Sequence, residues 1–391
     1  MSKSSGIFKL TRFLYNEEEV KLSLITSILN KKDIFECYYW FSELYYSKLD
    51  VCDIIWEIYF DYFALINPKL EHYIIKKMND WNEKSEIDHL LYIIKNLHIA
   101  KYDCRVFLMR QIAQSDTLCQ TSIYRKYKFK NIEKYDKKYY PLFMSLNRKR
   151  WINLCYYLNK LFKNGNDSYE IYHNILDYLL NTQHTVRNAF EDLWKMRIDK
   201  RDLHFTLKTI SRLLMKTDCI CVKNVYVSPL KDDIDEIKTL EVPVIPIYKT
   251  LPNRRWFKID ENIGSFDLLR FNFEDYCKEN FNWEYYASFT PLWKERIDEF
   301  SATINQVTKI IEFDDDETLE GFYEKYGYEL DEQSKTVQDC SLVQIEKKTW
   351  IDWFKYIGYG YINQNCDENT DKFNIGFDIC LDELPDDFRL K

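Results

Sequence analysis

The chain has 391 residues, 46% of them hydrophobic and 17% aromatic, with 31 tyrosines and 25 phenylalanines against 8 glycines and a formal net charge of −8. That length admits two or three domains and that apolar share can bury them, which excludes a disordered or fibrous chain. No apolar run approaches the roughly 18 residues needed to span a bilayer, because the richest, Val51 to Ile66, is broken by Asp53, Glu57 and Asp61.

In chain order, the opening MSKSSGIFKLTRF lacks a secretory apolar stretch, so no signal peptide is expected. From about residue 16 to 216 the apolar residues recur with helical period. Asn16 ahead of Glu17, Glu18 and Glu19 is an N-cap followed by acids suited to the helix dipole, with Val20, Leu24, Ile28 and Leu29 on one face. Ile34, Phe35, Tyr38, Phe41 and Tyr45 mark a second helix, and Val51 to Ile66 a central third, apolar nearly all round except for its acidic stripe. Asn67-Pro68 predicts the cap and first turn of a fourth. Ser85-Glu86-Ile87-Asp88 resembles a capping box opening a fifth, with Ile87, Leu90, Leu91 and Ile94 facing inward. Further helices are predicted over Trp151 to Phe162, Ser168 to Leu180 and Asp202 to Met215.

Around Cys219 the pattern alternates and becomes β-branched, and extended pieces follow at Val242 to Tyr248 and Arg255 to Ile259, which predicts a small β insertion. Pro243 and Pro246 demote the middle piece to an edge strand or loop. A helix resumes at Trp283 toward Ser301, interrupted or kinked by Pro291, and another is expected over Glu317 to Tyr326. The expected class is therefore mainly α: stacked helical hairpins, as an irregular bundle or HEAT-like array, with a small β insertion and an acidic aromatic C-terminal region. The expected divisions are 1–216, a helical body; 217–311, mixed α/β; and 312–391, acidic and aromatic.

Residues 312–391 hold 21 acidic and 8 basic side chains, a net of −13, which leaves +5 on residues 1–311. Trp350, Trp353, Phe354, Tyr356, Tyr359, Tyr361, Phe373 and Phe377 thread that acidic stretch, so it is expected to fold or dock. The opposite charge is concentrated in residues 124–151. Arg125, Lys126, Lys128, Lys130, Lys134, Lys137, Lys138, Arg148, Lys149 and Arg150 there face only Glu133 and Asp136, with Tyr124, Tyr127, Phe129, Tyr135, Tyr139 and Tyr140 interleaved. Cations that neutralise phosphates beside rings that stack on bases suit single-stranded nucleic acid. A solvated loop, and a docking site for the acidic region, are the competing readings; lysine outnumbers arginine 40 to 15, as AT-rich codons would give.

Two Glu-x-x-His patterns, Glu86 to His89 and Glu170 to His173, put a carboxylate and an imidazole on one helix face, and Asp53, Glu57 and Asp61 could add carboxylates. A second inward-facing glutamate helix ahead of Glu170 is missing, so a carboxylate-bridged metal enzyme ranks third, and the acidic stripe reads as a solvent-facing or lysine-paired one. Asp314-Asp315-Asp316-Glu317 reads as a solvated helix N-terminus rather than a cation site. Cys219 and Cys221 lack a second pair at zinc spacing and read as packing residues, and the scattered eleven cysteines read as reduced thiols. No Walker A loop, dinucleotide fingerprint, metalloprotease helix, nucleophile elbow or kinase signature is found, so no cofactor and no bound metal are expected.

Phe35-Glu-Cys-Tyr-Tyr-Trp-Phe-Ser-Glu-Leu-Tyr-Tyr46, Ile55-Trp-Glu-Ile-Tyr-Phe60, Asn67-Pro-Lys-Leu70 and Trp283-Glu-Tyr-Tyr-Ala-Ser-Phe-Thr-Pro-Leu-Trp293 resemble uncharacterised proteins of nucleocytoplasmic large DNA viruses. The resemblance implies a protein of the host cytoplasm or the virion and carries over no site residue. The resulting expectation is a non-enzymatic interaction or scaffold protein with a protein partner, a structural or virus-factory component. The alternative is a single-stranded nucleic-acid-binding factor using Arg125, Lys126, Tyr127, Lys128, Phe129, Lys130, Lys137, Lys138, Arg148, Lys149 and Arg150.

Overall fold

The computed structural model describes residues 9–67, 69–114, 132–147, 151–165, 167–182, 226–241, 257, 259–260, 262–266, 282–326 and 348–357. Over these the chain is mostly helical, with one two-stranded antiparallel sheet. Helix α1 (Glu17–Leu29) begins where its cap predicts, with Asn16 Oδ1 accepting the Glu18 N–H at 2.9 Å. Helix α2 (Ile34–Tyr46) is capped likewise by Asp33 and buries Tyr38, Trp40 and Phe41 completely. Its large rings supply the packing that alanine-poor helices need.

The predicted central helix is α3 (Val51–Ile58), which runs into a π-helical turn over Tyr59–Phe63. There the Ala64 N–H reaches back five residues to the Tyr59 carbonyl, at 2.8 Å. Two start signals fail. Asn67 does not cap α4 (Leu70–Lys84), because its side-chain amide donates to the Lys101 carbonyl at 2.6 Å instead. Ser85 makes no capping box for α5 (Asp88–Ile99); it ends α4 in the left-handed region, at φ 57°, and Ile87 precedes α5 without a side-chain cap. A left-handed residue closing one helix cannot also hold the extended backbone of an N-cap.

Helices α6 (Arg105–Gln114), α7 (Tyr140–Asn147), α8 (Trp151–Lys163) and α9 (Ser168–Thr182) complete the N-terminal part, of which α6 and α7 escaped the sequence pattern. Neighbours pair as α1 with α2, α4 with α5 and α7 with α8, while α2 also meets α5 and α6 meets α8, which makes stacked hairpins. The predicted helix from Asp202, Cys219 and Cys221, and most of the predicted β pieces lie outside the described residues. Tyr226 and Val227, at the end of the first piece, have no regular secondary structure and lead to α10 (Lys231–Thr239).

The Trp283 helix is two helices. Helix α11 (Trp283–Ala287) stops, and α12 (Pro291–Glu299) restarts with Pro291 at its first turn and Thr290 capping the Trp293 N–H. A hairpin of β1 (Thr303–Asn305) and β2 (Ile310–Glu312) follows, turned by Asn305 Oδ1, which accepts the Val307 and Thr308 N–H groups. Helix α13 (Asp316–Tyr326) starts at the acidic run, where Asp315 accepts both the N–H and the hydroxyl of Thr318 at 2.7 Å. Helix α14 (Trp350–Tyr356) opens on a true capping box made by Thr349 and Asp352.

Candidate interaction surfaces

Of the basic aromatic segment, residues 132–147 and 151 are described, while Tyr124, Arg125, Lys126, Tyr127, Lys128, Phe129, Lys130, Arg148, Lys149 and Arg150 lie outside the described residues. Two short 3-10 turns, Ile132–Lys134 and Lys137–Tyr139, lay the segment across α9. Helix α9 presents Glu170 and Asp177 two turns apart, and each takes one lysine and one tyrosine. Asp177 accepts from Lys134 at 2.8 Å and from the Tyr135 hydroxyl at 2.7 Å. Glu170 pairs with Lys138 at 3.0 Å and accepts from the Tyr139 hydroxyl at 3.1 Å. Tyr139 is fully buried, Tyr135 is nearly so, and the Phe143 ring is stacked with Tyr178 at 4.0 Å beneath them. These two rings are therefore core residues, and of the candidate cations in this stretch Lys137 is exposed while Lys138 is paired. Burial raises the Tyr139 phenol well above its usual range, aided by the Glu170 carboxylate, so it stays a neutral donor.

The acidic stripe on α3 is more than a solvent face. Glu57 meets Lys21 at 2.6 Å, as a lysine-paired stripe would, but the π turn carries Asp61 into the interior, 1% exposed. There Arg110 of α6 grips it with two nitrogens, at 2.7 and 3.3 Å. Burial alone would push the Arg110 guanidinium down, and Asp61 with Glu57 more than offsets it. The other acid–histidine pattern, Glu86 with His89, sits 3.8 Å apart at the start of α5, and Asp80 approaches the other ring nitrogen at 3.9 Å. Among the described residues no group of three or more His, Cys, Asp or Glu could hold a metal ion.

Of the acidic region, residues 312–326 and 348–357 are described and pack through their rings, while Tyr359, Tyr361, Phe373 and Phe377 lie outside the described residues. Phe322 of α13 is fully buried, in edge contact with Phe300 at 5.5 Å and near Trp293 at 6.4 Å. Tyr323 donates to Glu284, whose carboxyl burial holds above the usual range, and Lys325 and Tyr326 both bind Glu299. On α14, Trp353 is fully buried against Phe266 at 5.3 Å, Tyr356 donates to Asp260 at 2.8 Å, and the Ile357 carbonyl accepts from Tyr102. The acids face out: Glu312, Asp314, Asp315, Asp316, Glu317, Glu320 and Glu324 are exposed, beside Glu295, Asp298 and Glu299 of α12. Val307, at the hairpin tip among them, is 91% exposed.

Sequence reasoning missed Arg12, which is buried and 2% exposed. Its Nε donates to Glu43 at 3.0 Å, its terminal nitrogen to the Leu240 and Glu241 carbonyls, and its guanidinium lies over the Phe13 and Tyr46 rings at 4.6 and 4.5 Å. Its own carbonyl accepts the Trp293 indole N–H at 3.0 Å. It thereby ties the N-terminal segment, α2, the end of α10 and α12 together. No local pattern announces this, since its hydrogen-bond partners lie 31 to 281 residues away. Cys37, Cys104 and Cys155 are buried, and burial drives their thiols up, Cys37 to about 12, as inert core residues. No helix among the described residues is long and apolar enough to cross a membrane. No protein family, no curated protein and no solved structure matches the chain.

Proposed function

We propose that this chain is a non-enzymatic interaction protein that presents an acidic face to a basic partner, in the scaffold role its virus-protein resemblance suggests. The observation that carries this reading is the sorting of side chains on α12 and α13. Their rings turn inward, and ten acids, from Glu295 to Glu324, are exposed on a folded surface. The interior charges support the reading, because Arg12 with Glu43 and Arg110 with Asp61 are cross-links between elements.

Glu317, Glu320 and Glu324 share one face of α13 by helical spacing, so Glu317→Lys, Glu320→Lys and Glu324→Lys together reverse the centre of this surface. Affinity purification followed by mass spectrometry should find a partner that the triple variant loses. The same partner should elute as ionic strength rises from about 0.15 to 1 M, where the Debye length falls from about 8 to about 3 Å. Partners kept by the variant and indifferent to salt would refute the reading.

Single-stranded nucleic acid is the second reading, and it draws on Lys137 and the basic residues outside the described ones. With Tyr135 and Tyr139 in the core, ring stacking would have to come from Tyr127 and Phe129. Anisotropy titration of a labelled oligonucleotide at two salt concentrations tests it: each lysine neutralised at a phosphate contact should lower the salt slope by roughly 0.7.

A further inference from the structure

The segment Tyr226–Leu230 is bound to α4 and α5 as a peptide is bound in a groove. Asn96 of α5, 3% exposed, holds both main-chain polar groups of one residue: its Oδ1 accepts the Val227 N–H and its Nδ2 donates to the Val227 carbonyl, each at 2.9 Å. The same Nδ2 also bonds the Tyr92 carbonyl at 2.7 Å, which fixes the amide's orientation from within its own helix. One residue earlier, the Tyr226 ring lies flat on Tyr73 of α4, centroids 3.9 Å apart and planes 10° apart, and its hydroxyl donates to the Lys69 carbonyl at 3.3 Å. Two residues after the clamped amide, Pro229 is buried, and Leu230 continues extended at φ −69°, ψ 144°. The intervening side chains are open: Tyr226 and Val227 are each 39% exposed, Ser228 is exposed and Leu230 is 67% exposed.

Two anchors thus hold this stretch, an aromatic ring and the N–H and C=O of the next residue, and a buried proline follows three residues after the ring. Each is generic peptide chemistry. A side-chain amide that pairs with the N–H and C=O of one residue reads main chain regardless of side chain, and aromatic surfaces that take proline-containing segments are a recurring mode of recognition. We propose that the α4–α5 face around Tyr73 and Asn96 is a binding site for extended aromatic-x-x-Pro segments of a partner protein, occupied in this chain by its own Tyr226–Pro229. The covalent connection gives the internal occupant an effective concentration of about millimolar order, so an external segment competes only when it is tethered or locally concentrated. The site is distinct from the acidic face, rests on other residues, and its failure would leave that reading untouched.

The probe is a fluorescein-labelled peptide with the sequence of residues 224–231. In the full chain, Tyr226→Ala with Val227→Pro removes the ring and the clamped N–H of the internal occupant. This variant should bind the probe by anisotropy at least about tenfold more tightly than the unaltered chain, as release of a millimolar-order competitor implies. Adding Asn96→Ala to the variant should abolish that binding. Hydrogen exchange on the unaltered chain supplies a measurement that needs no substitution: excess unlabelled peptide should speed exchange of the Val227 amide and leave the amides of α1 and α2 unchanged. Absence of probe binding by the folded double variant, binding that survives Asn96→Ala, or a Val227 amide unmoved by excess peptide would each overturn the proposal.

Discussion

Two buried polar residues carry the clearest consequences at the scale of single side chains. Arg12 and Glu43 are 2% and 0% exposed, and removing one partner of a buried pair leaves an uncompensated charge in the interior. Arg12→Ala should therefore lower unfolding stability by roughly 3–5 kcal/mol, measured by urea denaturation. Glu284 titrates in the opposite sense to a surface carboxylate. Burial raises its pKa in the folded chain, so on raising the pH from acid the unfolded chain ionises first and stability falls until the folded carboxyl ionises too. Glu284→Gln, neutral throughout, should lack that fall. Its stability relative to the unaltered chain should improve as the pH rises past about 4, where an unburied glutamate ionises, in paired urea titrations.

Helix ends show what the glycine-poor composition costs. Lys31, Lys48 and Ser301 stand in the left-handed region, at φ 53°, 58° and 55°, just after α1, α2 and α12. In each case the next N–H reaches back to the helix, Lys32 to Ser27 at 3.0 Å, Leu49 to Leu44 at 3.2 Å and Ala302 to Ile297 at 3.3 Å, the closure usually built on glycine. A side chain there strains the backbone by about 1–2 kcal/mol. Ser301→Gly, at an exposed position, should raise stability by roughly 0.5–1 kcal/mol once the greater freedom of glycine in the unfolded chain is offset, read as a shift in the urea midpoint with unchanged slope. The starts were more legible than the stops. Asn16 and the acids before α13 could be read because a cap and its target lie within three residues. Ser85 misled because the same serine serves either end of a helix, and backbone conformation, which the sequence does not display, decides which.

For the whole molecule, the described parts of the acidic region, 312–326 and 348–357, pack against residues that precede it. Phe322 packs on Trp293 and Phe300, and Trp353 packs on Phe266, so a chain ending at residue 311 would lose both buried rings. Each large ring removed from a core costs roughly 3–5 kcal/mol. The 1–311 fragment should accordingly bind a hydrophobic dye and melt at lower temperature or aggregate, as measured by dye fluorescence and calorimetry. A full chain with Glu317, Glu320 and Glu324 changed to glutamine should do neither, because those carboxylates are exposed. Neutralising the acids in place is therefore the better probe of whether they compete with nucleic acid for the basic segment.

The sequence by itself determined the mainly helical class, the faces of α1 and α2 and the places of α8 and α9. Periodicity and composition are local properties, and burial of large apolar surface is their direct consequence. The tertiary structure alone decided that Asp61 turns inward to Arg110, that Tyr135 and Tyr139 serve the core rather than a surface, that Arg12 joins four segments, and that Asn96 clamps Val227. Each of these pairs residues 31 or more apart in sequence, where the cost of burying a charge or an amide is met by a partner that no local pattern names.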